Sequence, residues 1–177
     1  MNSISSSRWV KWSLFALATV AIGYAIWSSF PRNEEGGRVG DTAPSFSLSG
    51  LDGETIRLTD YRGKGIIINF WASWCKPCTN EMPLMNEAYA ESPDVEIIAI
   101  NVGEKPEKAK RFAEELGLKF PVALDQDNEI KKKYRISGLP VTLLVDKDGK
   151  IVERITGELQ STQDILDLMD EVRQDAS

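Results

Sequence analysis

Cys75 and Cys78 stand three positions apart in Trp74-Cys75-Lys76-Pro77-Cys78, and they are the only cysteines in the 177-residue chain. Two intervening residues let the side chains come within disulfide reach across the first turn of a helix. At a helix start, free N–H groups and the helix dipole favour the thiolate of the first cysteine. That thiolate can attack a disulfide in another molecule, and the second cysteine then resolves the mixed disulfide. Pro77 suits this placement, because the first helical N–H groups have no partner inside the helix. The competing uses of the pair are half of a zinc site and an inert structural bridge. The chain has no histidine, and two cysteines alone cannot complete a four-ligand site. A bridge closing so small a loop adds little chain-entropy stabilisation.

The flanking sequence predicts how the pair is positioned. Residues 65–70 (GIIINF) form a short, almost wholly apolar run, as a central strand covered on both faces requires. The motif follows it directly. Met82, Met85 and Tyr89 then recur at helical spacing, with Pro83 expected to kink the helix. Upstream, residues 42–48 alternate like a half-buried strand. Residues 51–54 read as a turn and 55–58 as the returning strand of a hairpin.

Downstream, residues 95–102 predict a second central strand, and 106–116 an amphipathic helix between Pro106 and Gly117. Strands follow at 120–124, 141–145 and 151–155, the last two joined by a turn at 146–149. A short helix is expected at 128–134. A last helix opens at Ser161, with Ile165, Leu168, Met169 and Val172 on one face. Alternating strands and helices imply a mixed α/β sheet with helices on both faces.

Charge excludes one class of partner. From Arg32 onward there are 19 basic and 27 acidic residues, a net of −8. Nucleic-acid binding needs clustered Lys and Arg. The run Lys131-Lys132-Lys133 is short and reads as a solvated helix face. The absent histidine also removes Cys/His catalysis and a haem axial histidine.

Residues 12–30 form a charge-free stretch of 19. At about 1.5 Å per residue such a helix is nearly as long as a ~30 Å hydrocarbon core is thick. Trp9, Trp12, Tyr24 and Trp27 lie towards its ends, where amphipathic rings favour the interface. Arg8 and Lys11 precede it, which keeps residues 1–11 in the cytoplasm and sends the rest across. The expectation is a transmembrane signal-anchor at 12–30, a polar linker at 31–38 and one folded domain at 39–177. The alternative for the apolar run is a cleaved secretory signal, although no clear small-x-small cleavage site follows it. Both readings place the domain outside the cytoplasm.

Residues 69–78 (NFWASWCKPC) resemble the active-site segment of the thioredoxin superfamily, and the likeness covers about residues 39–177. The anchor, the hairpin before Ile66 and the extra αβ unit around 106–124 resemble its ResA/TlpA branch. Glu81, Asn101-Val102-Gly103-Glu104 and Leu139-Pro140 add to that match. The resemblance implies a thioredoxin-like fold, with a central mixed sheet flanked by helices, an N-terminal hairpin and an extra αβ insertion. It also implies a single-pass membrane-anchored reductant. Such a protein reduces the haem-binding cysteine pair of apocytochrome c during cytochrome c maturation. An integral membrane thiol-transfer protein re-reduces it. No cofactor and no metal are expected.

The same resemblance implies roles for further residues. Pro140 is the cis-proline beside the cysteine pair, and Leu139 offers its backbone to an extended substrate. On the residues alone, a trans proline opening a strand is equally open. Trp71 and Trp74 shield the pair and offer apolar contact to a partner, with core packing also read for Trp71. Asn69 departs from thioredoxin, whose buried aspartate there helps move protons; asparagine cannot titrate. Glu81 lies one helical turn after Cys78 and is the replacement, a proton acceptor that also opposes thiolate formation by its charge. Its alternative is a solvated helix acid. Glu104 belongs to the resemblance without an assigned role. Lys76 lowers the acidity barrier at Cys75 while Glu81 raises it, so a weakly acidic thiol and a reductant are expected.

The rival readings are a disulfide oxidase or isomerase, a peroxiredoxin-like peroxidase and a copper-delivery module. The peroxidase pattern P-x-x-x-T-x-x-C is broken by Ile68 and Ala72. Copper delivery wants a third soft or imidazole ligand.

Overall fold

The computed structural model describes residues 6–29, 36–92 and 94–174. The chain divides into two compact units, residues 1–33 and 34–177. The first contains one helix, α1 (Ser6–Ser29). Leu14, Leu17, Val20 and Ile22 on it are exposed. Among the described residues no helix is long and apolar enough to cross a membrane. Parts of the expected anchor and linker, Phe30 and residues 31–35, lie outside the described residues. So do the side chains of Arg8, Trp9, Lys11 and Trp27.

The second unit follows the alternation read from the sequence. Its elements are β1 (Ser47–Gly50), β2 (Thr55–Arg57), β3 (Ile66–Trp71), α2 (Lys76–Glu91), β4 (Glu96–Val102) and α3 (Pro106–Leu116). Then come β5 (Val122–Asp125), α4 (Glu129–Lys133), β6 (Val141–Val145), β7 (Ile151–Thr156) and α5 (Thr162–Gln174). The strands form one mixed sheet in the order β2-β1-β5-β4-β3-β6-β7.

All six residues of β3 and all five of β6 are buried, which is why both runs are unbroken by exposed polar positions. Successive side chains on β3 point to opposite faces. Phe70 packs on Tyr134, the residue closing α4, with ring centroids 5.2 Å apart. Trp71 packs on Phe112 of α3 from the other face, at 5.4 Å. The resemblance to a thioredoxin-like sheet with helices on both faces therefore holds in the structure.

Two strands start more than one residue later than the sequence reading has them, and both involve proline. The strand expected at 42–48 is β1 only from Ser47, with Thr42 forming an isolated bridge to Lys150. Pro44 cannot donate to a ladder. The chain before it pairs instead with the β6–β7 turn, through Gly40 N–H to Ile151 and Ala43 N–H to Gly149. Likewise β5 opens at Val122, one residue after Pro121, rather than at Phe120. Pro83 lies within α2, which continues through it to Glu91.

The end of the expected linker belongs to the domain. Gly36 and Gly37 are buried, and the Gly36 N–H donates to the Lys133 carbonyl at 3.1 Å. Arg154 donates to the Gly37 carbonyl at 2.5 Å and to the Tyr134 carbonyl at 3.2 Å. Gly37 has φ +122, and a Cβ there would lie 2.3 Å from the Tyr134 carbonyl oxygen. Only glycine fits such a close backbone approach.

A truncation beginning at Glu34 should fold as the intact second unit. One beginning at Val39 removes both glycines and leaves part-buried Arg154 short of a partner. It should lose about 1–3 kcal/mol in urea unfolding relative to the longer form. Equal stability of the two would show that residues 34–38 add nothing.

Candidate active site

Strands β3 and β4 run parallel, so both finish at the same edge of the sheet, with Trp71 opposite Asn101. β6 runs antiparallel to β3 and pairs Val141 with Phe70, so Pro140 enters at that same edge. Three segments are thereby gathered: the cysteine loop after β3, Gly103-Glu104 after β4, and Leu139-Pro140 before β6. In open α/β sheets, the space beyond the carboxyl ends of parallel strands is the usual site.

Cys75 and Cys78 form a disulfide with an S–S distance of 2.07 Å and Cα atoms 5.3 Å apart. Cys75 is the N-cap of α2, and its Sγ accepts from the Cys78 N–H at 3.3 Å. The sulfur thus occupies the position where a capping oxygen normally satisfies a free helical N–H. Cys75 is 5 % exposed and Cys78 0 %, so of the two residues only the first keeps any exposure. Trp74 is 63 % exposed beside it and free to meet a partner, whereas Trp71 is buried, so of its two readings core packing is the one the structure shows. Leu139 is half-buried and Pro140 buried, and the bond between them is cis.

Glu81 is not a solvated helix acid. It is fully buried on α2. Its Oε1 accepts from Asn69 Nδ2 at 2.8 Å and its Oε2 from the Leu159 N–H at 2.9 Å. Burial pushes its carboxyl up to about 7; these two hydrogen bonds pull the other way, and nearby Glu158 adds to the rise. Asn69 spends its second N–H on Thr142 Oγ1, at 3.0 Å. Asn69 Oδ1 is buried and has no hydrogen-bond partner among the described residues. The residue that cannot titrate therefore orients the one that can.

Glu104 is the second buried carboxylate at this edge. Its Oε2 accepts from the Ser73 N–H at 2.7 Å and from Asn101 Nδ2 at 2.9 Å. Its Oε1 accepts from the Ser73 hydroxyl at 2.7 Å and pairs with Lys108 Nζ at 2.7 Å. Burial pushes this carboxyl up, but donation from Lys108, Ser73 and Asn101 outweighs it and holds Glu104 below its ordinary range. Two carboxylates at one edge are thus pushed in opposite directions. Among the described residues no cluster of three or more His, Cys, Asp or Glu could hold a metal ion.

The chain is similar to several known proteins. Residues 39–154 match the AhpC/TSA family. The thiol-disulfide oxidoreductase ResA of Geobacillus thermodenitrificans is 46 % identical over 148 residues, 82 % of this chain and 85 % of that one. The chain belongs to the ResA-type thiol-disulfide oxidoreductases, within the AhpC/TSA family. Across a wider distance, ResA of Halalkalibacterium halodurans is 37 % identical, covering 91 % of this chain and 94 % of that one. Among solved structures, a thiol:disulfide interchange protein of the thioredoxin family from Chlorobium tepidum superposes with a TM-score of 0.68. It is 26 % identical and covers 79 % of this chain and 98 % of its own. StoA from Bacillus subtilis gives 0.64 at 26 % identity, covering 71 % of this chain and 96 % of its own. The cysteine pair is accordingly the redox centre of a disulfide oxidoreductase.

Sequence reading missed Thr142, the Leu159 amide, Ser73, Asn101 as a donor, and Lys108. Lys108 sits four residues after Glu104, a spacing that marks a helical ion pair. Nothing in the sequence marks Leu159, whose amide arrives from a loop 78 residues beyond Glu81.

The raised Glu81 carboxyl has a consequence for stability. Its proton is held more tightly in the folded state, up to about pH 7 against 4.5 when unfolded. Its contribution is therefore complete below about pH 4.5 and is lost as pH rises to about 7. Roughly 3 kcal/mol should disappear across that window. Glu81→Gln keeps the shape without the titration, and its amide can be met by turning the Asn69 amide. Urea unfolding of the oxidised protein between those pH values should show the gap between wild type and variant changing by that amount. A constant gap would mean that Glu81 does not titrate there.

Proposed function

We propose that this oxidoreductase works as a disulfide reductant on the outer side of the cytoplasmic membrane. Its substrate is the haem-binding cysteine disulfide of apocytochrome c during cytochrome c maturation. The observation that carries the chemistry is Glu81, buried one helical turn beyond the resolving cysteine and able to exchange a proton near neutral pH.

The reaction starts from the reduced pair. The Cys75 thiolate attacks one sulfur of the substrate disulfide, forming a mixed disulfide and expelling a substrate thiolate. Cys78 then passes its proton to Glu81, and its thiolate attacks Cys75 Sγ. The second substrate sulfur leaves as a thiolate, and Cys75–Cys78 closes. Two electrons have moved to the substrate. The proton on Glu81 serves one departing thiolate and solvent the other. Trp74 supplies apolar contact, and Leu139 lends its backbone to the substrate segment. An integral membrane thiol-transfer protein returns the electrons.

The ResA name of the relatives supports this reading. Lys76 and Glu81 oppose one another in their effect on Cys75, which favours a weakly acidic thiol and a reducing pair. Location rests on the 19-residue charge-free run and on the exposed Leu14, Leu17, Val20 and Ile22. Full-length protein should stay with membranes through an alkaline carbonate wash.

Equilibration with glutathione should give a potential nearer about −270 mV than about −120 mV. The Cys78→Ala variant, expressed in its own membrane, should trap apocytochrome c as a mixed disulfide. A potential at the oxidising end, with unrelated secreted proteins trapped instead, would select a disulfide oxidase or isomerase.

A further inference from the structure

The segment between β3 and α2 is a single tight turn. The Cys75 N–H donates to the Ala72 carbonyl at 3.1 Å, which closes residues 72–75 as a β-turn. Ser73 and Trp74 are its two central residues. Trp74 is thrown out to solvent. Ser73 is fixed twice, by its amide and by its hydroxyl, and both go to the same carboxylate.

That carboxylate, Glu104, lies 31 residues away in sequence, just beyond the end of β4. Its remaining capacity is taken by Asn101 on β4 and by Lys108 on α3. It is thus a four-donor hub. Two of its hydrogen bonds lead to rigid elements, a central strand and a helix. The other two lead to the turn that ends at Cys75. Lys108 neutralises it locally, so the hub brings little net charge to the cysteine pair.

We infer that Glu104 is the positioning residue for the attacking cysteine, clamping Ser73 so that Cys75 is held at the N-cap of α2. This rests on the reading that Cys75 is the attacking thiol. The reason a clamp is needed is geometric. The Cys75 sulfur accepts from the Cys78 N–H at 3.3 Å, and a thiolate there draws on the same donor and the helix dipole. That stabilisation fades if the turn pivots and the sulfur leaves the helix axis. A turn of four residues carrying an exposed tryptophan has little else to hold it when a partner docks on Trp74.

A mere electrostatic role predicts the opposite sign. A carboxylate acting only by its charge would oppose the Cys75 thiolate, so removing it would make the thiol more acidic. A clamp favours the thiolate, so breaking it makes the thiol less acidic. Glu104→Asp separates the two, because it keeps the charge and loses the reach of one methylene. Ser73→Ala separates them again, because it removes one clamp bond and no charge. It is also the milder change, should the aspartate variant fold poorly.

The experiment uses the full-length reduced protein in detergent. Iodoacetamide labelling of Cys75 is followed from pH 5 to 10, with thermal unfolding in parallel. The wild type should label at Cys75 before Cys78. Glu104→Asp should label Cys75 about tenfold more slowly at pH 7, with the pH midpoint raised by about one unit. Ser73→Ala should move the same way by about threefold. Unchanged midpoints with lowered thermal stability would overturn the inference and leave Glu104 a structural prop. A midpoint lowered by Glu104→Gln and unmoved by the other two changes would also overturn it, in favour of simple charge. Labelling of Cys78 first in the wild type would overturn the reading beneath it as well, and the wild-type arm alone reveals that failure.

Discussion

Each oxygen of the Glu81 carboxylate accepts one hydrogen bond, from Asn69 on one side and from the Leu159 amide on the other. The group is wholly inside the domain. A carboxylate in that position loses its hydration, so its charged form is disfavoured. The two donors restore part of what burial removes. The balance leaves a group that neither stays ionised nor stays neutral around pH 7. That balance requires three segments far apart in the chain. β3 supplies Asn69, α2 supplies Glu81, and the loop before α5 supplies Leu159. The packing of α5 beside α2 and β3 therefore serves the chemistry as well as the core.

The contrast with Glu104 shows how environment assigns different tasks to one residue type. Both side chains are buried at the same edge of the sheet. Glu81 has two neutral donors and an unfavourable neighbouring charge from Glu158, and its proton affinity rises. Glu104 has a lysine and three neutral donors, and its proton affinity falls. One is fit to exchange a proton and the other to remain a fixed anion. Buried ionised groups persist only when paired and hydrogen-bonded in this way. The exposed amine of Lys108 keeps part of that pair in solvent, which limits the desolvation cost.

The edge itself exists because of strand direction. A parallel β3–β4 pair brings two loop-bearing ends together, and antiparallel β6 brings a strand start to the same line. The fully buried central strands make that arrangement rigid. The peripheral hairpin of β1 and β2, in contrast, extends the sheet beyond β5 at the far side. Its burial pattern is mixed, consistent with an edge that faces solvent.

Periodic and local features are legible in the chain before any folding is known. Largely apolar runs at 65–70, 95–102 and 141–145 specify strands buried on both faces. Pro106 and Gly117 delimit α3, because proline suits a helix start and glycine accepts the left-handed cap. The cysteine spacing, followed by helical periodicity, placed the redox pair at a helix start. Glu81 could be set one turn from Cys78 by counting, since helical geometry depends only on near neighbours. Its burial could not. Whether an early-helix acid faces water or the interior depends on what packs over it, and here that is a loop 78 residues away. The grip of Glu104 on Ser73 is likewise decided by parallel pairing that aligns two strand ends 30 residues apart in sequence. The attachment of Gly36 to Lys133 and of Gly37 to Arg154 has the same origin. A polar, glycine-containing stretch reads as a tether until a distant guanidinium and a carbonyl claim its backbone. Hydrogen bonds between segments remote in sequence carry no periodic signature, and only the tertiary structure assigns them.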